Sequence, residues 1–263
     1  MLVLRQLRFV RAYVALNFAA AMEYRVAFFS QVLGMMANNA IVLVFWWIFF
    51  LRFPNVAGWR LSDELLIWGV VATAYGLTNG IFGNFGRIAT LIMQGQLDYY
   101  LALPKDALLH ALISRMGPSA WGDAAFGVLA FVVAGQLSAG RVALFVLFSL
   151  TGCAVCVAYG VLAGSLAFWT GGAELAAQQA GDALLSFSLY PGGIFRDWVR
   201  LLTFTLIPAA ALSHVPVMLL RRPQPAEIAG LVAFAAGSLL LAVAVFRLGL
   251  RRYQSGNLVD LRG

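Results

Sequence analysis

The sequence predicts an all-α integral membrane protein with six transmembrane helices. Of its 263 residues, 62% are hydrophobic and only 11% are charged, whereas soluble domains contain about 25% charged residues. The hydrophobic residues are also grouped into runs that meet or approach the length of about 20 residues that a helix needs to cross a bilayer. A soluble domain of this size could not hide so much apolar surface from water.

Five apolar runs are candidate spans, at residues 26–51, 65–85, 118–134, 142–169 and 228–250. Tryptophans lie near several of their ends, as interfacial aromatic residues do in membranes. In residues 1–24, Arg5, Arg8 and Arg11 are spaced three residues apart among mostly apolar residues. This pattern predicts an interfacial helix at the cytosolic membrane surface, with arginines directed to lipid headgroups. A cytosolic extension of the first span is the alternative. We treat residues 1–263 as one transmembrane domain.

The fifth span in chain order, before the span at residues 228–250, has two candidates. In one topology residues 174–189 cross, and residues 199–220 dip into the outer leaflet and return. In the other, residues 199–220 cross, which moves Arg196 and Arg200 to the cytosolic side. The positive-inside rule favours the second topology. Both place the N and C termini in the cytosol.

Motifs for nucleotide or metal chemistry are absent from the sequence. There is no Gly-x-x-x-x-Gly-Lys-Ser/Thr loop and no His-Glu-x-x-His motif. Cys153 and Cys156 form a CxxC pair within an apolar run, where buried packing residues are the simpler interpretation. We therefore predict no catalytic residue, no metal site and no cofactor in this chain, which is not expected to be an enzyme.

The formal net charge is +7. In a membrane protein such an excess is explained by orientation and by lipid headgroups. Basic and aromatic residues are not interleaved as a base-stacking surface requires, so we predict no nucleic-acid partner. Membrane lipid is the expected partner of these basic residues.

Glycines recur at spacings of four or eight residues in two of the predicted spans. They are Gly76 and Gly80 in the second, and Gly152, Gly160 and Gly164 in the fourth. Such stripes allow helix backbones to approach closely in a membrane, where lipid supplies no hydrophobic drive for association. We predict that these glycines are helix-packing positions.

Six polar residues within the predicted spans are candidates for lining a pathway: Asn38, Asn39, Asp123, Glu174, Gln178 and Asp182. The last three are spaced four residues apart and therefore share one helical face. A carboxylate that faces lipid is costly, so these side chains should face protein or water. Hydrogen bonding between helices, or a wet face on an interfacial helix, is the alternative interpretation.

A polar island at residues 87–115 separates the second and third spans. It contains Gly95, Asp98, Pro104, Lys105 and Asp106 within a short stretch. Its pattern predicts a short amphipathic helix followed by a turn, with a second helix starting at Pro104. A soluble partner is expected to dock here, and an ordinary loop between helices is the alternative.

Three sequence segments resemble those of the type-2 ABC exporter permeases, in particular of the group that includes proposed viologen and multidrug exporters. They are GQLDYYLALP at residues 95–104, LYPGGIFRDWVRLLTFTLIPAAALSHVP at 189–216 and FRLGLRRYQSGN at 246–257. The resemblance implies a six-span permease with short re-entrant helices on the outer face between the fifth and sixth spans. It therefore favours the crossing of residues 174–189 and an outer re-entrant region at residues 191–226, and we adopt that topology.

By the same resemblance, residues 87–115 form a cytosolic loop with a coupling helix that docks on a nucleotide-binding subunit. The implied contact residues are Gly95, Gln96, Leu97, Asp98, Leu101 and Pro104. The implied assembly contains a dimer of ABC ATPase subunits, which bind ATP and Mg²⁺, and a second permease that is homologous or identical to this one. The implied location is the bacterial cytoplasmic (inner) membrane, with multiple crossings and cytosolic termini.

The function implied by the resemblance is export of a lipophilic or amphipathic small molecule from the cytosol by alternating access. We expect the cavity to lie between the two permease halves, lined by the first, second and fifth spans. One alternative is an ATP-independent carrier or channel that uses the intramembrane carboxylates. Another is a membrane assembly subunit that transports nothing. The sequence does not identify the transported substrate, because proteins of one fold transport different substrates.

Overall fold

The computed structural model describes residues 2–135, 137–190 and 205–253. In this part of the chain the only extended pairing is an isolated bridge between Val56 and Trp59. The helices are α1 (Leu2–Glu23), α2 (Arg25–Arg52), α3 (Leu61–Ile81), α4 (Ile88–Met93), α5 (Leu97–Leu101), α6 (Ala107–Ile113), α7 (Ala120–Ala134), α8 (Ala139–Ser165), α9 (Ala173–Ser188), α10 (Ala209–Leu212), α11 (His214–Arg221) and α12 (Pro225–Leu250). Single 3-10 turns at Phe85–Arg87 and Leu166–Phe168 precede α4 and follow α8. The all-α prediction is confirmed for the described residues.

Within the described ranges, three helices are long and apolar enough to cross a membrane, namely α2, α8 and α12. A fourth candidate is the pair formed by α3 and Phe85–Met93, which are bent by 67° relative to each other. α7 has 15 residues and α9 has 16, fewer than the about 20 of a full crossing. The fold is that of a multi-pass helical membrane protein, and the six-span count stays a prediction.

α3 is the central helix, because it packs on both α7 and α8. Its residues Ile67, Val70 and Val71 are completely buried. α7 runs antiparallel to α3, with Phe131 opposite Gly69 and Trp121 opposite Gly80. The core therefore lies between α3, α7 and α8, which places a site on α3 at the centre of the bundle.

The five glycines predicted as packing positions each lie against a neighbouring segment. The pairs are Gly76 with Ala124, Gly80 with Trp121, Gly152 with Ala74, Gly160 with Phe85 and Gly164 with Ile88. A Cβ atom at Gly76 would lie 2.5 Å from the Ala124 nitrogen, and one at Gly160 would lie 2.6 Å from the Phe85 ring. A side chain at either position would push the neighbouring backbone or ring away, since interiors are close-packed.

α2 and α12 lie at the periphery of the bundle. Few of their residues are buried, and large apolar side chains such as Ile41 and Leu240 are 71% and 72% exposed. In water such faces would drive aggregation, whereas in a bilayer they contact lipid or another membrane helix.

The end of the bundle where α3 begins, called the Asp63 end, is held by an ion pair. Asp63 accepts a hydrogen bond from the Arg60 backbone nitrogen at 2.8 Å, and the Arg221 Nε donates to Asp63 Oδ1 at 2.6 Å. The Arg221 guanidinium also lies over the Trp59 ring, 5.0 Å from its centroid. Arg221 is the last residue of α11, so this ion pair ties α11 to the first turn of α3.

The predicted re-entrant region is described only from residue 205 onward, and residues 191–204 lie outside the described part. Residues Ala209–Arg221 form two short helices, α10 and α11. Leu212 and Val217 are buried in the same core cluster as Ile67 of α3. α11 then ends at the Asp63 end, where α12 begins three residues after Arg222.

The opposite end of α3, called the Arg87 end, is hydrogen-bonded to the segment before α7. Five hydrogen bonds make the connection: Gly83 N to Arg115 O at 3.1 Å, Asn84 N to Leu112 O at 3.3 Å, Gly117 N to Asn79 O at 3.0 Å, and Asn84 Nδ2 to Ala111 O and to Ser114 Oγ, both at 2.9 Å. A Cβ atom at Gly83 would lie 2.6 Å from the Arg115 carbonyl oxygen. These bonds hold the turn that contains Arg87 next to the segment that contains Arg115.

α1 matches the predicted N-terminal helix in extent and breaks from α2 at Tyr24. It packs on α6, where the Asn17 side-chain amide donates to the Ile113 carbonyl at 3.0 Å. The interfacial position of α1 in a membrane stays a prediction.

Candidate functional site

A cavity of about 470 Å³ opens at the Arg87 end, between α3, α8 and α9. Its lining mixes polar and apolar side chains. The polar ones include Tyr75, Asn79, Arg87, Thr90, Arg115, Tyr159, Glu174, Gln178 and Asp182, and the apolar ones include Phe85, Cys156, Leu184, Leu185 and Leu212. Such a mixed lining is typical of small-molecule sites, where a few polar groups orient a ligand in an apolar cleft.

α9 contributes the predicted polar face to this cavity. The helix starts after Gly172, whose φ of 74° lies in the left-handed region that favours glycine. Glu174, Gln178 and Asp182 all line the cavity. The Thr90 hydroxyl donates to Glu174 Oε1 at 2.6 Å and so links α4 to α9. The structure therefore brings these three predicted residues together at one cavity.

The other three predicted pathway residues do not line this cavity. Asn39 Nδ2 donates to Asp123 Oδ1 at 2.7 Å in a buried bond between α2 and α7. Asn38 is exposed, and its amide lies 4.0 Å from the Met35 sulfur. The Asn39–Asp123 bond matches the alternative interpretation, in which polar side chains join helices. α2 does not line this cavity, which lies within one chain. The expected cavity between two permease halves, lined by the first, second and fifth spans, stays a prediction.

Sequence reasoning missed much of the polar lining. Arg87 and Arg115 bound the polar island but were counted only for orientation, while Asn79, Tyr75 and Tyr159 lie in apolar runs. Their convergence depends on the 67° bend after α3. The one available signal was Gly83 and Gly86 at the end of the second span, since paired glycines there are compatible with a sharp turn.

The predicted coupling residues lie on the chain that leaves the cavity. Gly95 has a φ of 68°, which ends α4 and turns the chain into α5. The predicted helix from Gly95 to Pro104 is shorter in the structure, because only Leu97–Leu101 is helical. The following helix starts at Ala107 rather than at Pro104, because Asp106 caps it by accepting from the Leu109 nitrogen at 2.9 Å.

The two leucines of α5 have different environments. Leu97 is completely buried in a core cluster that includes Ile88 of α4 and Phe246 of α12. Leu101 is 44% exposed, and Tyr99 is 63% exposed. α5 is therefore anchored by Leu97, while Leu101 and Tyr99 present an open surface. Gln96 and Pro104 are exposed beside that surface.

Asp98 faces the end of α12 rather than solvent alone. Burial, and then the nearby Asp98 carboxylate, raise the pKa of Tyr253 to about 12. The tyrosine is therefore a neutral hydroxyl at physiological pH. This contact connects α5 to the residues that follow α12.

An aromatic cluster joins α1 to α5 and α6. The Tyr13 hydroxyl lies 2.6 Å from His110 Nε2, and the His110 ring also packs edge-on against Phe9 and Tyr100. Burial, and then the Lys105 charge, lower the pKa of His110. The ring is therefore neutral at pH 7, which suits its apolar neighbours.

Cys153 and Cys156 are buried, unlinked thiols within α8. Among the described residues, no group of three or more His, Cys, Asp or Glu side chains is positioned to hold a metal ion. The functional features of the described chain are thus the cavity and the segment that leads from it to α5.

A family model described as ABC-2 family transporter protein matches residues 36–257. The chain belongs to the ABC-2 transporter family. This match covers the cavity, the residues predicted to couple to an ATPase and α12, and it confirms the resemblance to type-2 ABC permeases. No curated protein and no solved structure gives a significant match to the chain.

The ABC-2 permease is therefore the membrane subunit of an ABC transporter. Family membership implies a partner ABC ATPase, and members of this family are normally non-enzymatic membrane subunits. The segment that leaves the cavity is consequently the first region to consider as a contact for that partner.

Proposed function

We propose that this ABC-2 permease is half of the membrane domain of an ATP-driven exporter in the bacterial cytoplasmic membrane. It has six spans and cytosolic termini, and it pairs with a second permease, identical or homologous. A dimer of ABC ATPase subunits binds ATP and Mg²⁺ and drives the transport cycle. The proposal makes the Arg87 end cytosolic and the Asp63 end external.

One observation carries the proposal: the cavity and the exposed face of α5 are connected by a short, well-packed segment. The 3-10 turn and α4 line the cavity through Phe85, Arg87 and Thr90. Four residues after α4 the chain enters α5, which carries the exposed Leu101. A partner that pushes on α5 therefore acts on the cavity wall.

The packing supports transmission of that push. Leu97 fixes α5 to α4 in a shared core cluster. Ile88 of α4 lies against Gly164 of α8, and Thr90 bonds to Glu174 of α9. Because packed cores tend to switch between discrete arrangements rather than deform continuously, movement of α5 would shift α4 relative to α8 and α9. Such a shift changes the cavity that these helices enclose.

The lining of the cavity supports an amphipathic or lipophilic small molecule as the cargo. Apolar groups such as Leu184 and Leu212 supply a surface for the apolar part, and Glu174 and Arg87 supply charges at the open end. Burial of apolar surface provides affinity, and the polar groups fix orientation. Closure of the Arg87 end, with separation of the two permeases from each other at the Asp63 end, would then release the cargo outside while the Asp63–Arg221 pair within each chain stays intact.

Introducing a charged residue on the exposed face of α5 tests whether this helix contacts the ATPase subunit. The Leu101→Asp variant should lose co-purification with the ABC ATPase subunit by at least about tenfold, because a carboxylate is desolvated at an apolar contact. The matched control is Leu137→Asp, since Leu137 is 53% exposed in the α7–α8 loop, at the Asp63 end. Both variants should insert into the membrane at wild-type levels. Normal ATPase binding by Leu101→Asp would refute α5 as the contact.

A further inference from the structure

A second cavity, of about 510 Å³, lies on the other side of Arg87 and Arg115 from the first. Its wall is built from α1, α4, α5 and the turn after α6. The lining residues are Tyr13, Asn84, Arg87, Leu91, Gln96, Tyr99, Tyr100, Ser114 and Arg115. They include two arginines and no carboxylate, so the cavity carries a net positive charge.

The two guanidinium groups form no ion pair in the described part of the chain, and the carboxylates that share a lining with them, Glu174 and Asp182, belong to the first cavity and not to the second. Neither Arg87 nor Arg115 makes an ion pair or a side-chain hydrogen bond to any described residue. Their backbones are nevertheless fixed, because Gly83 bonds to the Arg115 carbonyl and Arg87 N donates to Asn84 O at 2.8 Å. Two cations on neighbouring, hydrogen-bonded segments, neither of them in an ion pair, favour a ligand that brings negative charge.

The rest of the wall is ordered by its own hydrogen bonds. The Tyr100 hydroxyl lies 2.8 Å from Ser114 Oγ, and the Tyr13 hydroxyl is held by His110. Tyr99 is the one lining tyrosine whose hydroxyl bonds to no described residue, and Gln96 uses its amide on Gln94 at 2.9 Å. The arginines, the Tyr99 hydroxyl and the second Gln96 amide hydrogen are thus the donors left for an anion.

We propose that this second cavity binds the phosphate of an anionic phospholipid headgroup. An oxyanion matches the planar donor fork of arginine, which binds phosphate in a bidentate manner. A lipid is favoured over a free anion because α1 forms one wall, and its mixture of arginines and apolar residues suits the membrane surface. Tyrosines at headgroup depth are also typical of membrane proteins.

The second cavity lies where the proposed coupling between α5 and the first cavity passes. Arg87 and Arg115 line both cavities, and Tyr99 belongs to α5. A bound headgroup would therefore touch both the cavity wall and the coupling segment. Its placement in the cytosolic leaflet rests on the proposed topology, whereas binding of the anion does not.

Lipid titration monitored by native mass spectrometry tests the site on the full chain. The probe is phosphatidylglycerol, added to protein in a neutral detergent with phosphatidylcholine as the competing lipid. Loss of two arginines in R87Q/R115Q should weaken phosphatidylglycerol binding about thirtyfold, at about 1 kcal/mol for each arginine. R87K/R115K should bind more tightly than R87Q/R115Q and less tightly than the wild type, because lysine keeps the charge but not the bidentate fork. R222Q, which removes an exposed arginine at the Asp63 end, should bind like the wild type.

Three results would overturn the proposal. They are equal binding by the wild type and R87Q/R115Q, an equal loss in R222Q, and displacement of the lipid by inorganic phosphate, which would assign the site to a free anion. Because the measurement reads lipid binding in the absence of any ATPase, its failure is distinguishable from failure of the exporter proposal.

Discussion

The two ends of α3 differ in how their charges are satisfied. At the Asp63 end, Asp63 is buried and paired with Arg221, which also lies over Trp59. At the Arg87 end, Arg87 and Arg115 face two cavities and pair with no described carboxylate. At the Asp63 end the charged groups are paired with each other, and at the Arg87 end the two arginines leave their donors available.

This difference indicates where the permease is expected to move and bind. Breaking the Asp63–Arg221 pair would leave an uncompensated charge, so α11 is expected to stay attached to α3 at the Asp63 end. Polar groups that line a cavity can bind a ligand without the loss of an ion pair. The end that contacts cargo, lipid and ATPase in our account is therefore the Arg87 end.

The largest predicted effect is on the Asp63 ion pair. Asp63→Asn should destabilise the fold by about 2 kcal/mol, because Arg221 loses its counter-ion in a partly buried site. The matched control is Asp106→Asn, since Asp106 pairs with Arg247 at 3.4 Å on an exposed surface. Exposed pairs contribute about 0–1 kcal/mol. Thermal unfolding in detergent compares the two, and equal losses would break the contrast between the ends.

A smaller effect is expected from His110. Because its pKa is lowered in the folded state from an ordinary value of 6.5, the unfolded chain binds a proton more readily. The contribution of the neutral His110 ring to the stability of the fold is therefore fully present above pH 6.5 and is lost as the pH falls below that value. The melting temperature should therefore fall between about pH 7.5 and 5.5.

His110→Phe isolates the contribution of that ring. It should show a smaller fall in melting temperature than the wild type over the same pH range. His214→Phe, which replaces the second histidine at the Asp63 end, is the comparison variant. An undiminished pH dependence in His110→Phe would show that other groups carry it.

The sequence predicted features that depend on local pattern. Residues 1–24 were expected to be helical and α1 spans Leu2–Glu23. The four-residue spacing of Glu174, Gln178 and Asp182 placed these side chains on one face, because helical periodicity is a property of neighbouring residues. Glycine stripes likewise indicated positions where backbones approach closely.

Features that depend on tertiary pairing were not visible in the sequence. The Asn39–Asp123 bond joins residues 84 positions apart, and no spacing rule links them. Arg87 and Arg115 line the same two cavities because the chain bends by 67° after α3 and Gly83 then bonds to the Arg115 carbonyl. The helix predicted from Gly95 to Pro104 is longer than the observed one because the apolar run Leu97–Leu103 continues past the end of α5 at Leu101.

Cross-linking at the two ends tests the central claim, that ATP-driven motion occurs at the Arg87 end. Thr90 and Glu174, whose side-chain oxygens lie 2.6 Å apart, are replaced by cysteines and bridged by a short bis-methanethiosulfonate reagent. Asp63 and Arg221 are bridged in the same way as the control, with Cys153 and Cys156 replaced by alanine in both proteins.

The readout is ATP hydrolysis by the reconstituted complex of the permease with its ATPase subunit. The account predicts that the Thr90–Glu174 bridge reduces hydrolysis to the level of the isolated ATPase and that a reductant restores it, while the Asp63–Arg221 bridge has little effect. Full hydrolysis with the Thr90–Glu174 bridge, together with inhibition by the Asp63–Arg221 bridge, would contradict it.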